Sequence, residues 1–315
     1  MKLADILEQY ISHRHSTGMK FACGSMQLRR IGRIIGKEAD PGFLTSENIE
    51  KALLVNGRIT STSYTKRSIL STFLKWCVAR GYLAAMPQMP ELPRKPPALR
   101  PYIFSNAEIR RLLSASRRHK RNCILVHIEC IRMIVLLTYT MGLRIHETLT
   151  LGIDDIDMAS NTVAIRDTKF YKTRILPFNS AVALELDAFM QWRKSVGMSA
   201  TPGSPLFQNR NGTPVKYGIV LKIFHWWCEV SGIKRSDGLP RKPRIHDLRH
   251  SFAVRRLVEW YHEGRDVQAL LPWLSVYMGH SSISDTSVYL TMTPDLLQAS
   301  CERFEHFVSE RTSHV

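Results

Sequence analysis

His246-Asp247-Leu248-Arg249-His250, then Met278-Gly279-His280, then Tyr289 nine residues further on, place His246, Arg249, His280 and Tyr289 in fixed order. About a hundred residues upstream, Thr140-Met141-Gly142-Leu143-Arg144-Ile145-His146-Glu147 adds a second arginine directly after a helix-stopping glycine. Together these strings read as a phosphate-handling set with a nucleophile at its end, carried by helices.

The residue types suit that chemistry. A phosphodiester under nucleophilic attack builds charge on its non-bridging oxygens, and a magnesium ion or fixed cations stabilise it. Two guanidiniums can replace the metal, because each planar fork donates parallel hydrogen bonds and stays protonated. Arg249 lies one turn from His246, so both share a helix face, and Arg144 follows a helix stop from which a side chain can enter a cleft. A phenol is a better leaving group than an alkoxide, so a tyrosine is a chemically sensible nucleophile at the end of such a set.

The ordered combination resembles the tyrosine recombinases, the family of phage integrases and transposon-borne site-specific recombinases, from roughly Phe104 to Glu305. The resemblance implies that Arg144 and Arg249 hold a scissile phosphate while His246 and His280 bond its oxygens. It implies Tyr289 as nucleophile, giving a 3′-phosphotyrosine and a free 5′-hydroxyl without metal, cofactor or ATP. Glu147 matches a supporting position that orients an arginine. The resemblance also implies a lysine at the tip of the basic hairpin that gives the departing 5′-oxygen its proton; Lys169 matches it, although Phe170 and Tyr171 replace the family's glycine-rich turn and leave Lys172 as the alternative, and either lysine reads equally as an ordinary phosphate contact. The partners implied are double-stranded DNA recombination sites, a tetramer of this chain in the synaptic complex, and accessory recombination proteins. The process implied is integration, excision or transposition of a mobile element. His146 and Thr148 are less usual neighbours, and Leu270-Leu271-Pro272-Trp273-Leu274 lengthens the stretch before Met278, which leaves the local helix path open.

Composition points the same way. The 315 residues suffice for two cored domains, and 44% hydrophobic residues exclude a disordered chain. The net charge of +17 is concentrated early: the first hundred residues hold 16 Lys and Arg against 7 acidic residues, which implies a polyanionic partner. No apolar run is long enough to span a bilayer and no signal-like segment opens the chain, so a cytoplasmic location without membrane contact is expected. Cys23, Cys77, Cys123, Cys130, Cys228 and Cys301 form no C-x-x-C pair and read as reduced thiols. The i,i+4 pair His246 and His250 is more simply a site histidine followed by a helix-packing one than a metal site.

The expected fold is mainly α with a small antiparallel β-sheet, arranged as a two-domain DNA clamp. Residues 1–86 read as four helices forming a core-binding domain: one from Leu3; one with Leu28, Ile31, Ile34 and Ile35 among basic residues; Ser46 to Leu54; and about Thr62 to Arg80, stopped by Gly81. Residues 87–101 hold six prolines and read as an extended basic linker. Residues 102–315 form the catalytic domain. It opens with the capping box Ser105-x-x-Glu108, followed by a buried helix from about Cys123 to Thr140. Strands at Thr162–Arg166 and Arg174–Phe178 bracket the hairpin. Helices follow at Ala181 to Arg193, Tyr217 to Val230, His246 to Tyr261 and Val267 to Met278, with a last one from Pro294 to Phe307. Its apolar residues Leu296, Leu297, Phe304 and Phe307 either exchange onto a neighbouring protomer or pack on their own domain. Arg29, Arg30, Arg33, Lys66, Arg67, Arg94, Lys95 and Lys172 are the expected DNA contacts.

Two other classes fit parts of the chain. A metal-dependent nuclease or transposase would use Asp154, Asp155 and Asp157, although three carboxylates in a short run are more simply turn residues. A DNA-binding regulator of the same fold would have lost a clamp arginine or the tyrosine, and neither is lost. Type IB topoisomerases share the chemistry and differ in relaxing DNA without site preference.

Overall fold

The computed structural model describes residues 2–291 apart from 37, 55, 96–99, 119–125, 167–172, 236, 239, 240 and 281. Lys169, Lys172, Cys123, Cys301 and the segment from Pro294 therefore lie outside the described residues. The chain divides into two compact units, Met1–Leu99 and Arg100–Val315.

The first unit holds α1 (Leu3–Ser16), α2 (Ala22–Ile35), α3 (Ser46–Leu53) and α4 (Ser61–Ala79). Their cores repeat at helical spacing, with Leu3, Ile6, Leu7 and Tyr10 on α1 facing Leu70, Phe73 and Leu74 of α4 in one cluster. Gly81, at φ +74°, turns the chain after α4, and Tyr82 N donates back to Cys77 O at 2.9 Å. Two expectations change here. Ile34 is exposed, so the buried stripe of α2 is narrower than its apolar pattern. Lys66 is fully buried: its Nζ donates to Ala52 O at 2.8 Å and Leu54 O at 3.0 Å, carbonyls at the end of α3. An ammonium at a helix C-terminus satisfies orphan carbonyls and complements the dipole, so Lys66 holds the fold together and is not a surface phosphate contact.

The second unit opens with α5 (Asn106–Ala115), capped as expected: Ser105 N donates to Glu108 Oε2 at 2.9 Å and Glu108 N to Ser105 Oγ at 3.2 Å. Next comes α6 (Ile128–Thr140), buried on all sides from Met133 to Tyr139 and packed against two later helices, α8 (Ser180–Ser195) and α10 (Ile245–His262). It starts later than its apolar run suggests, because Val126 is extended in an antiparallel bridge to Asn209. The short α7 (Ile145–Leu149) precedes the sheet of β1 (Ile156–Asp157), β2 (Thr162–Ile165) and β3 (Arg174–Pro177), antiparallel in the order β1-β2-β3. β1 is too short to show alternation and has no sequence signature. Val163 pairs with Leu176 and Ile165 with Arg174. Val163, Ile165 and Leu176 face the core while Ile175 is exposed, so alternation turns Arg174 inward beside Leu176. α9 (Tyr217–Val230) leads to α10, and α11 (Val267–Met278) runs through Pro272 without a break. A short α12 (Ser284–Ser287) and a 3₁₀ turn, Val288–Thr291, carry Tyr289 back against α10. Among the described residues, no helix is long and apolar enough to cross a membrane.

Candidate active site

The site is built on the C-terminal end of α11. Gly279, at φ +67°, reverses the chain there: its N–H donates to Val276 O at 2.9 Å and His280 N to Ser275 O at 3.0 Å. The next three carbonyls have no helical partner, and each receives a guanidinium. Arg174 Nε donates to Tyr277 O at 3.1 Å, Arg249 Nη2 to Met278 O at 2.6 Å, and Arg144 Nη2 to Gly279 O at 2.6 Å. A helix C-terminus carries partial negative charge, so it gathers and orients cations that would otherwise repel one another.

Arg249 is almost wholly buried in α10, and its Nη1 also donates to Gly142 O at 2.7 Å, joining the end of α6 to the end of α11. Burial, then the charge of Arg144, pushes its guanidinium down to about 10, which still leaves it charged at neutral pH. Gly142 has two reasons to be glycine: φ is +63°, and a Cβ would lie 2.4 Å from the Phe252 ring. Arg144 caps α7, with its N–H on Glu147 Oε2 at 2.9 Å and its Nη1 on Glu147 Oε1 at 2.8 Å. Glu147 is also gripped by Arg174, through Nη2 at 2.8 Å and Nη1 at 3.1 Å. Burial acts to raise the Glu147 carboxyl, but the hydrogen bonds and charge of Arg174, followed by those of Arg144, outweigh it and hold it at about 2.

Three histidines surround this cluster. The protein mass around His246, and then the charges of Arg249 and Arg244, push its imidazole down to about 4. His280 is held by Thr286, with Nδ1 and Oγ1 2.6 Å apart, and burial followed by Arg249 and Arg144 lowers it to about 4. His250 meets His246 edge to face, with ring centroids 4.7 Å apart, and burial followed by His246 lowers it to about 3. Tyr289 is 3% exposed; its ring lies 6.1 Å from that of His280, and its hydroxyl is 3.0 Å from His250 Nδ1. Burial pushes the phenol up, against the opposing charges of Arg249 and Arg144, so it stays protonated at neutral pH. α10 itself is pinned by Asp247, which accepts from Arg244 N at 2.8 Å, and by Ser251 Oγ, which accepts from Phe104 N at 2.8 Å.

The structure thus brings Arg144, Glu147, His246, Arg249, His280 and Tyr289 together. Sequence reading gave Arg174 no role and read His250 as a helix-packing residue. Their signals were an arginine alternating in phase with Leu176, and a histidine one turn after His246 on the same helix. Of the expected DNA contacts, Arg30, Arg33, Arg94 and Lys95 are exposed, and Arg29 is exposed but paired with Glu8 at 2.7 Å. Arg67 is half-buried and donates to Pro90 O at 3.1 Å. Asp154, Asp155 and Asp157 serve separate turn contacts: Asp154 accepts from Gly203 N, Asp155 from Gly152 N, and Asp157 from Ala159 N. Among the described residues, no group of His, Cys, Asp or Glu could hold a metal ion. Cys77, Cys130 and Cys228 are buried free thiols pushed up to about 12 by burial.

Residues 103–295 match the model of the phage integrase family. Across 97% of its length the chain is 28% identical to the y4rB protein of Sinorhizobium fredii (strain NBRC 101917 / NGR234), an inferred integrase/recombinase, and covers 98% of that protein. It is 30% identical to the tyrosine recombinase XerA of Thermococcus kodakarensis (strain ATCC BAA-918 / JCM 12380 / KOD1), over 67% of this chain and 65% of that one. Its fold matches the Tn1549 transposon integrase in complex with a circular intermediate DNA, with a TM-score of 0.67 at 20% identity over 96% of this chain and 99% of the other.

Proposed function

The chain belongs to the phage integrase family, the tyrosine recombinases, and on that premise we propose that it cuts and rejoins duplex DNA at specific sites through a phosphotyrosine. The observation that carries the reading is the convergence of Arg144 and Arg249 on adjacent carbonyls of one helix end, Gly279 O and Met278 O, with Tyr289 beside them. Each guanidinium has five N–H donors, and these contacts leave some of them free to receive phosphate oxygens. A phosphate held there would meet fixed cations in a largely desolvated site, where charge stabilisation is strongest.

In this reading Tyr289 Oη attacks phosphorus while Arg144 and Arg249 neutralise the equatorial oxygens, and His246 and His280 hydrogen-bond to them. His280 Nδ1 is engaged by Thr286, so its Nε2 would face the phosphate. The 5′-oxygen leaves with a proton from Lys169 or Lys172. Glu147 balances part of the positive charge and fixes Arg144. The exposed basic residues Arg30, Arg33, Arg94 and Lys95 would add sequence-independent attraction for the DNA backbone. We assign the chain to integration, excision or transposition of a mobile element in the cytoplasm, with four copies joining two sites. On α11, Trp273 and Val276 are large and exposed, which supports a docking surface for the segment beyond Pro294 from a neighbouring copy.

Sequencing the DNA covalently trapped on the protein in cells tests this reading. A single recurrent sequence joined through Tyr289, in a reaction that proceeds in EDTA, is the expected result. Strict dependence on a divalent ion, or no covalent DNA, would overturn it.

A further inference from the structure

The proposed reaction gives an acid to the leaving oxygen but no base to the attacking one, although Tyr289 is protonated at rest and a neutral phenol is a poor nucleophile. We propose that His250 is a catalytic residue: its Nδ1, 3.0 Å from the Tyr289 hydroxyl, takes the phenolic proton as Oη attacks phosphorus. The inference rests on the phosphotyrosine reading and deepens it.

The geometry is that of a general base within direct reach of its proton. His250 is one turn along α10 from His246 and adjacent to Arg249, so one helix would carry a phosphate ligand, a clamp arginine and the base. Its ring is held on a second side by the edge-to-face contact with His246. The charged and titratable groups facing it are His246, Arg244, Arg249 and His280, all cationic or potentially so. Burial first, and these groups with it, keep the imidazole neutral at rest and hence able to accept a proton. They also make it a weak base while the site is empty. A phosphodiester among the same cations brings the negative charge that offsets them, raising basicity when substrate arrives.

The step balances. The Tyr289 Oη–P bond forms as the P–O5′ bond breaks, the phenolic proton moves to Nδ1, and O5′ takes a proton from the acid on its own side. In the reverse step His250 returns its proton to the phenol. His250 therefore differs in role from His246 and His280, which hydrogen-bond to phosphate oxygens and never need to change protonation.

The test measures covalent adduct formation in a single turnover, on a nicked duplex carrying the sequence recovered from the trapped DNA. It compares wild type with His250→Asn and His250→Ala. Asparagine places an acceptor oxygen near the position of Nδ1 and can hold the phenol, but it cannot carry the proton. We expect both variants to bind the duplex as wild type does and to form adduct about 10²–10⁴-fold more slowly. A fluorinated tyrosine at 289, which ionises near neutral pH, should restore most of the rate of His250→Asn. A His250→Asn protein as fast as wild type would overturn the proposal, because the contact would then only hold the ring. So would a slow variant that the fluorinated tyrosine fails to rescue. Adduct formation by Tyr289→Phe, or none by wild type, would instead remove the phosphotyrosine reading, and this proposal with it.

Discussion

Arg174 and Glu147 form a two-pronged pair, Nη2 to Oε2 at 2.8 Å and Nη1 to Oε1 at 3.1 Å, and both side chains are largely buried. Arg144 shares the same carboxylate, so Glu147 ties the last strand of the sheet to Arg144. Removing the carboxylate leaves two guanidiniums facing each other with no anion between them. Glu147→Ala should destabilise the fold by about 3 kcal/mol, as expected for one half of a buried pair. Arg174→Lys should keep the charge and lose the fork, lowering the cleavage rate at least about tenfold with little change in DNA affinity. Denaturant midpoints and single-turnover cleavage measure the two effects. Wild-type cleavage by Arg174→Lys would show that Glu147 positions Arg144 unaided.

Gly279 separates stability from activity. A Cβ there would lie 2.7 Å from Arg174 Nη1 and 3.3 Å from Arg144 Nη1, at a φ of +67°. Gly279→Ala should cost about 1–3 kcal/mol through strain and overpacking, and should reduce cleavage further by moving both guanidiniums. Gly142→Ala meets the Phe252 ring and should act on stability in the same range. Equal loss of stability with undiminished cleavage in Gly279→Ala would contradict the placement of Arg144 by this helix end.

Much of the site was legible because its chemistry lies in short strings. Gly142-Leu143-Arg144, His246-x-x-Arg249 and Gly279-His280 each join a helix end or face to a cation, and their order along the chain is informative without tertiary contacts. Arg174 was hidden because its meaning depends on strand pairing with Ile165, which turns it inward; an arginine after a basic hairpin otherwise reads as one more surface charge. His250 was set aside as a helix-packing residue because its partner, Tyr289, lies 39 residues away. Lys66 misled for the opposite reason: a lysine on a basic helix gives no sign that it reaches carbonyls at the end of another helix. The helical architecture followed from apolar spacing, whereas β1 and the start of α6 depend on long-range pairing that spacing does not report.

Acid should weaken the fold well above the carboxylate range. His246, His250 and His280 sit at about 4, 3 and 4 in the folded chain, against an ordinary value of 6.5. Between the ordinary and the folded values the unfolded chain binds more protons, so stability rises with pH and is lost as pH falls below about 6.5. Glu147 acts lower: its contribution is complete above 4.5 and is lost as pH falls toward 2. Melting temperature should therefore decline from about pH 6.5 downward, less steeply in His250→Asn. A flat profile to pH 5 would contradict the neutral, buried histidines.

The segment beyond Pro294 should matter for assembly. Truncation after Pro294 is expected to leave a folded protein that binds one site and fails to pair two sites, as measured by gel mobility of one-site and paired complexes. Unfolding of the truncated monomer would show that Leu296, Leu297, Phe304 and Phe307 pack on their own domain.

The central claim is that Tyr289 becomes covalently joined to DNA, and a nicked suicide duplex tests it most directly. Wild type should accumulate a denaturation-resistant adduct that maps by mass spectrometry to the peptide containing Tyr289, in EDTA as in magnesium, and Tyr289→Phe should form none while binding the duplex equally well. Adduct formation by Tyr289→Phe, or an adduct on any other residue, would contradict the account.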